Sequence, residues 1–87
     1  MSAVLIPPAL HSYTAGAGRA DLPGRTLREI LAALDARFPG IRFRVIDEQD
    51  RIRPHIRFFV DGADALDLAH PVAERGEVLI VCALSGG

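Results

Sequence analysis

Apolar residues follow two different spacings along the chain, and these spacings predict its main elements. Between residues 27 and 38 the apolar positions recur every three or four residues, which is typical of an amphipathic helix with one buried face. Thr26 and Glu29 have the spacing of a capping box, so we expect the helix to begin after Thr26, and the Pro-Gly pair that follows Phe38 favours its end. This helix is long enough to cover one face of a small sheet.

Short runs of β-branched and aromatic residues predict the strands. We expect strands at residues 4–6, about 19–22, 56–60, 65–68 and 78–84. The first strand meets two consecutive prolines, where pairing must break, and we expect it to resume at Leu10 and Tyr13. The last strand is a run of seven apolar residues, which is typical of a central strand. The charged segment 41–55 predicts a loop with a short strand or a turn of helix near residues 45–46.

Composition limits the chemistry that the chain can carry. Its 87 residues suit one domain with a small core, which leaves little material for a deep active site. The single cysteine excludes an internal disulfide, and the three histidines have no ligand spacing, so we expect no metal site. No apolar run approaches the roughly 18 residues of a membrane span, and no signal peptide is visible, so we expect a cytoplasmic protein.

The charges favour a solvated surface over a nucleic-acid interface. The net charge is −1, and a neutral domain without a basic cluster binds phosphate backbones poorly. We expect the charged residues at 42–53 to be a solvated face, with partner recognition as the alternative. Asp61, Asp64 and Asp67 do not have calcium-loop spacing and are expected to be solvated carboxylates. All ten basic residues are arginines, so the chain has no side-chain amine, although arginine-rich composition alone accounts for this.

Two glycines stand directly after the predicted last strand, and they are the most informative feature of the sequence. Chain ends rarely need glycine. Gly86-Gly87 is therefore either an incidental end or a terminus without side chains, whose carboxyl group another protein can reach. The order of the elements, the Val60-Asp61-Gly62 turn and the ending Ser85-Gly86-Gly87 resemble the ubiquitin-like sulfur carriers of the MoaD/ThiS type. This family includes the molybdopterin-synthase small subunit, the thiamine sulfur carrier and a carrier used in cysteine biosynthesis.

The resemblance implies an α+β fold, the β-grasp or ubiquitin-like fold. It predicts a mixed sheet of four to five strands, with the first and last strands adjacent and one main helix packed on one face. Residues 1–84 would form the domain and residues 85–87 a flexible Gly-Gly tail. Residues 84–87, fully extended, would span about 13 Å, enough to reach a nucleotide inside a partner enzyme.

The resemblance also implies a function at Gly87. A ubiquitin-activating-like enzyme would use ATP to adenylate the Gly87 carboxylate, and sulfur would replace the adenylate to give a thiocarboxylate, with Gly86 and Ser85 forming the tail. The chain would be a carrier and co-substrate rather than an enzyme, with no permanently bound cofactor and no metal. Its partners would be the adenylating enzyme and a sulfur-accepting enzyme or synthase large subunit. The acceptor pathway, whether molybdopterin, thiamine or cysteine biosynthesis, is left open.

Strand alternation predicts a docking surface on the last strand. If Val78 and Ile80 pack under the helix, Leu79 and Val81 face the open side of the sheet, with Phe58 or Phe59 nearby; the opposite phase is the alternative.

Three further alternatives stay open. Cys82 is either a thiol that captures the activated tail or a small buried hydrophobe. The chain is alternatively a ubiquitin-like modifier joined to lysines through Gly87, or a β-grasp binding module whose glycines are incidental.

Overall fold

The computed structural model describes residues 1–83 of the chain. Within that range the strands are β1 (Ser2–Leu5), β2 (Arg19–Leu22), β3 (Ile56–Val60), β4 (Ala63–Ala65) and β5 (Glu77–Cys82). The helices are α1 (Leu27–Arg37) and the short α2 (Ile41–Val45), and a 3-10 helix covers Pro8–Tyr13. The predicted tail, residues 85–87, and the last residue of the predicted domain lie outside the described residues.

The five strands form one mixed sheet in the order β2-β1-β5-β3-β4. β5 is the central strand and runs parallel to β1, with Ala3 opposite Glu77 and Leu5 opposite Leu79. The other neighbours are antiparallel. The first and last strands are therefore adjacent, as expected, and the arrangement is that of a β-grasp fold.

The core lies between one face of the sheet and α1. Leu27, Ile30, Leu31 and Leu34 are buried on the helix, which confirms the predicted apolar face. They meet the buried side chains of the sheet, of which Phe58 is the largest. Burial of this apolar surface is the main term that stabilises so small a domain.

Local hydrogen bonds hold both ends of α1. The Thr26 hydroxyl accepts from the Glu29 N–H (3.3 Å), as the predicted capping box requires. The Glu29 carboxylate instead reaches one residue further back and accepts from the Arg25 N–H (3.0 Å). After the helix, one carboxylate oxygen of Asp35 accepts from the N–H groups of Gly40 and Arg42, which joins α1 to α2.

The prediction that Leu10 and Tyr13 continue the first strand is wrong, because both lie in the 3-10 helix Pro8–Tyr13. The reason lies in Pro7 and Pro8, which offer no N–H to a neighbouring strand, and Pro8 suits the first position of a helical turn. Leu10 is still buried, so its apolar character serves the core from a helical segment.

The return strand after β3 also differs from the prediction at 65–68. Asp61 and Gly62 both have positive φ (49° and 85°), and Val60 pairs directly with Ala63, so β4 begins two residues earlier. A tight turn of this kind matches the twist of the two strands it joins. Segment 41–55 contains the expected turn of helix, α2, and an isolated bridge between Ile46 and Ile52.

Candidate functional site

The described structure stops one residue after the end of β5. β5 ends at Cys82, and the Ala83 N–H donates to the carbonyl oxygen of His55 (2.8 Å), in the segment before β3. This bond fixes the point from which the remaining four residues depart. Ser85, Gly86 and Gly87 lie outside the described residues, so the reactive role of Gly87 stays a prediction.

The two faces of β5 have opposite environments. Val78 and Ile80 are 0% and 1% exposed beneath α1, whereas Leu79 is 37% exposed and Val81 is half-buried on the other face. The predicted phase of alternation is confirmed. The side of the sheet opposite α1 therefore carries apolar side chains at its centre.

These side chains form a row across three strands. Leu5 of β1 lies opposite Leu79, and Leu79 lies opposite Phe59 of β3. Leu5 and Phe59 are half-buried, so the row is only partly shielded from solvent. Val81 follows Leu79 on the same face, closer to the chain terminus. We call Leu5, Leu79, Phe59 and Val81 the apolar stripe.

The prediction that Phe58 belongs to the docking surface is wrong. Its side chain is 0% exposed and lies opposite Ile80, so it belongs to the core beneath α1 and is unavailable to a partner. Consecutive residues of a strand point to opposite faces, and only Phe59 shares the face of Leu79. The sequence analysis missed Leu5, whose place on this face follows from its alternation with buried Val4 once β1 is known to pair with β5.

Charged side chains border the apolar stripe. Arg57 lies opposite Val81 and forms an ion pair with Asp64 of β4. The Arg57 guanidinium also lies 5.9 Å from the ring centroid of Phe59. Towards the other edge of the sheet, Arg19 of β2 lies opposite Leu5 and forms an ion pair with Asp21. An apolar centre with a polar border is typical of protein interfaces.

Cys82 is half-buried and packs against the core at the end of β5. Burial raises the pKa of its thiol, so a smaller fraction is present as the nucleophilic thiolate. The environment therefore supports its interpretation as a small hydrophobe over that of a reactive thiol.

The charged segment between α2 and β3 is held by ion pairs. Asp50 accepts hydrogen bonds from Arg42 (2.9 Å) and Arg28 (3.0 Å), which hold the pKa of its carboxyl below the usual value. Asp47 accepts from the N–H groups of Arg51 and Gln49, which lower its pKa as well. Asp50, Arg28 and Arg51 are solvent-exposed, as predicted for a solvated face, whereas Asp47 and Arg42 are half-buried.

The predicted solvated carboxylates also have structural partners. Asp61 accepts from the Glu77 N–H (2.9 Å), Asp64 pairs with Arg57, and Asp67 accepts from the Ala69 N–H (2.9 Å). Through residue 83, no group of three or more His, Cys, Asp or Glu side chains could hold a metal ion. In the same part of the chain, no helix is long and apolar enough to cross a membrane.

Comparison with known proteins decides the family. The sequence model of the ThiS family matches residues 14–87, which includes the sheet from β2 onward and the terminal glycines. The chain belongs to the ThiS family. It is therefore a ubiquitin-like protein of the MoaD/ThiS type with the β-grasp fold.

Solved structures similar to this ThiS-family protein include CysO chains and a small archaeal modifier protein. A chain of the BexX/CysO complex of Amycolatopsis orientalis is 27% identical, with full coverage of both chains and a TM-score of 0.92. CysO of Mycobacterium tuberculosis is 26% identical, covering 97% of this chain and 100% of its own, with a TM-score of 0.90. SAMP1 of Haloferax volcanii is 26% identical, covering 99% and 98%, with a TM-score of 0.78. No protein with a curated description is significantly similar in sequence.

Proposed function

We propose that this ThiS-family protein carries sulfur on its terminal carboxyl group. The carboxylate of Gly87 attacks the α-phosphate of ATP on a ubiquitin-activating-like enzyme, and pyrophosphate leaves. Hydrosulfide then attacks the acyl carbon, the bond between that carbon and the AMP oxygen breaks, AMP and a proton leave, and Gly87 becomes a thiocarboxylate that donates sulfur to an acceptor. The observation that carries the proposal is the family match, which extends through Gly87 while β5 ends at Cys82.

In this proposal the partner enzyme carries out the chemistry, and this chain supplies the carboxyl group and the binding surface. A carboxylate is a poor acyl donor, and joining it to AMP creates a good leaving group. The open face of the sheet offers Leu5, Leu79, Phe59 and Val81, which are suited to binding and hold no acid, base or nucleophile. The chain therefore acts as a co-substrate, and binding places its terminus in the active site of another protein.

The apolar stripe is the docking surface in this proposal. Leu79 is its most exposed described member, at the centre of the sheet, and Val81 leads from it towards the terminus. A partner that covers Leu79, Val81 and Phe59 would hold the domain while the last four residues enter the active site. Leu5, which the sequence analysis missed, extends the same contact onto β1.

The two CysO structures favour cysteine biosynthesis among the pathways that the family serves. Both are matched over nearly the whole of this chain with TM-scores of at least 0.90. The BexX/CysO complex supports a sulfur-accepting enzyme as the second partner. Molybdopterin and thiamine biosynthesis are the alternatives, and the acceptor that removes sulfur from the charged chain distinguishes them.

SAMP1 supports a second candidate function. It is a small archaeal modifier protein, and the match covers 99% of this chain and 98% of SAMP1. A modifier and a sulfur carrier begin with the same acyl adenylate, but the modifier ends as an amide with a protein amine. This chain has no lysine, so it cannot form lysine-linked chains of itself, and the lysines that it would modify lie on other proteins.

Intact-mass measurement tests the proposal. The chain is co-expressed with the ubiquitin-activating-like enzyme of its own genome, and the expected product has one carboxyl oxygen replaced by sulfur. Gly87→Phe, or one residue added after Gly87, should fold normally and gain no thiocarboxylate. One residue added before Met1 is the matched control and should leave thiocarboxylate formation normal. Full conversion of Gly87→Phe to the thiocarboxylate, or a wild type that is never converted, would contradict the proposal.

Two other results would favour the alternatives. Species heavier than the free chain on a denaturing blot, lost in Gly87→Phe, would support protein conjugation. Unchanged function after deletion of Gly86 and Gly87 would support a binding module whose glycines are incidental.

A further inference from the structure

Three shallow depressions adjoin one another at the end of the sheet where β5 terminates. Their volumes are about 290, 330 and 280 Å³. Arg53 lines the first two, and Arg44 and His55 line the second and third. Cys82 and Ala83 line the third, so the chain leaves the described structure beside these depressions.

Positive charge dominates this end of the molecule. Among residues 1–83, the depressions are lined by three arginines, Arg44, Arg53 and Arg57, by His55, and by one carboxylate, Asp64, which is already paired with Arg57. Through residue 83, no carboxylate lies within ion-pair distance of Arg44 or Arg53. We call Arg44, Arg53 and His55 the basic rim.

Aromatic contacts hold the two arginines of the basic rim in place and leave their charge unneutralised. The Arg53 guanidinium lies 4.9 Å from the ring centroid of Phe43, and its Nε donates to the Phe43 carbonyl oxygen (2.8 Å). The Arg44 guanidinium lies 5.8 Å from the ring centroid of Tyr13. Arg44 and His55 are exposed, and Phe43 is 55% exposed. Side chains already held in one conformation lose less entropy when a partner binds.

The opposite end of the sheet has mixed charge. β1 and β5 both begin there, and Asp61 joins that end through its hydrogen bonds with Glu77. Exposed Asp61, Glu74 and Glu77 lie in this region with Arg25, Arg75 and the N-terminal amine, and Asp21 is paired with Arg19. The chain has a net charge of −1, yet within the described residues unpaired arginines are concentrated beside the end of β5.

We propose that the basic rim docks against an acidic collar around the active-site entrance of the adenylating enzyme. The inference rests on the proposed function, because it assigns a binding role to the surface from which the tail departs. The positive charge beside the end of β5 would bring that end of the carrier to the enzyme first, and opposite charges at the contact would raise the association rate. Arg57 lies opposite Val81, so the basic rim and the apolar stripe can belong to one interface.

Adenylation kinetics test the role of the basic rim. With the co-expressed adenylating enzyme, Arg44→Gln/Arg53→Gln should raise the KM for the carrier about tenfold at low salt, with kcat little changed. Added salt should raise the wild-type KM more steeply than that of the variant. Arg25→Gln/Arg75→Gln removes the same charge from the opposite end and is the matched control, so its KM should equal that of the wild type.

The double variant loses the hydrogen bond from Arg53 to the Phe43 carbonyl oxygen, and this loss can lower its stability. For this reason Arg44→Gln alone is measured as well. It should raise the KM about threefold with an unchanged melting temperature, and Arg44→Lys should restore the wild-type KM. A wild-type KM and salt response in Arg44→Gln, or an equal KM increase in the Arg25/Arg75 control, would overturn the inference and leave the proposed function standing. A wild type that is never adenylated would overturn the proposed function itself.

Discussion

Leu79 and Ile80 are consecutive residues of β5, yet one faces solvent and the other closes the core. Leu79 is 37% exposed in the apolar stripe, whereas Ile80 is 1% exposed opposite Phe58. The central strand therefore closes the core with one face, and in the proposed function its other face binds the partner. This separation allows the two roles to be tested by neighbouring substitutions.

Leu79→Ala should leave the free energy of unfolding within about 0.5 kcal/mol of the wild type, because its side chain is partly exposed. It should raise the KM for adenylation, because the partner loses a central apolar contact. Ile80→Val should show the reverse pattern, with about 1 kcal/mol less stability and an unchanged KM. Urea unfolding and adenylation kinetics measure the two effects. Normal adenylation of Leu79→Ala would remove the apolar stripe from the docking surface.

Thr26→Ala should lower the free energy of unfolding by about 1 kcal/mol, because the Glu29 N–H loses the hydroxyl that caps α1. Thr26→Ser keeps that hydroxyl and should retain most of the stability. Urea unfolding of the three proteins makes the comparison. Equal destabilisation by Ser and Ala would show that the threonine methyl group, rather than the hydrogen bond, matters at this position.

Asp50 should contribute to the stability of the chain in acid. Hydrogen bonds from Arg42 and Arg28 lower the pKa of its carboxyl below the ordinary 3.8, so the folded state favours the carboxylate. The contribution is present above pH 3.8 and is lost as the pH falls through the lower folded-state pKa. Melting temperatures across this range should therefore fall less steeply in Asp50→Asn than in the wild type.

Asn is the suitable replacement because Asp50 has a φ of +60°, which Asn tolerates better than most residues. High salt should reduce the difference between the two proteins, since the ion pairs are exposed. Parallel acid melting curves for wild type and Asp50→Asn would show that these pairs do not contribute.

Cys82 should react slowly with iodoacetamide at neutral pH, because burial raises the pKa of its thiol. The reaction rate should increase with pH over a higher range than in the urea-unfolded chain. Cys82→Ala should be adenylated at the wild-type rate, since the thiol has no part in the proposed chemistry. A charging defect in Cys82→Ala that Cys82→Ser does not share would instead indicate a polar role for this side chain.

Local patterns in the sequence predicted the elements whose start, apolar face and end are all marked by residues within the element or next to it. α1 has its cap, its apolar spacing and its stop within about a dozen residues, and β2 lies where it was predicted. Asp61-Gly62 predicted the turn, but the return strand was placed two residues late because the turn geometry sets the pairing of Val60 with Ala63. The prediction for the segment after Pro7 was wrong, because burial of Leu10 is compatible with either a strand or a helical turn.

The sequence by itself determined the cap and apolar face of α1, the apolar run of β5, and the terminal glycines, because each depends on neighbouring residues and their spacing. Only the tertiary structure decided that Phe58 is buried, that Leu5 joins the apolar stripe, and that Arg44, Arg53 and His55 meet beside the end of β5. Those relationships join residues far apart in the chain, and strand pairing and packing, which no local pattern encodes, bring them together.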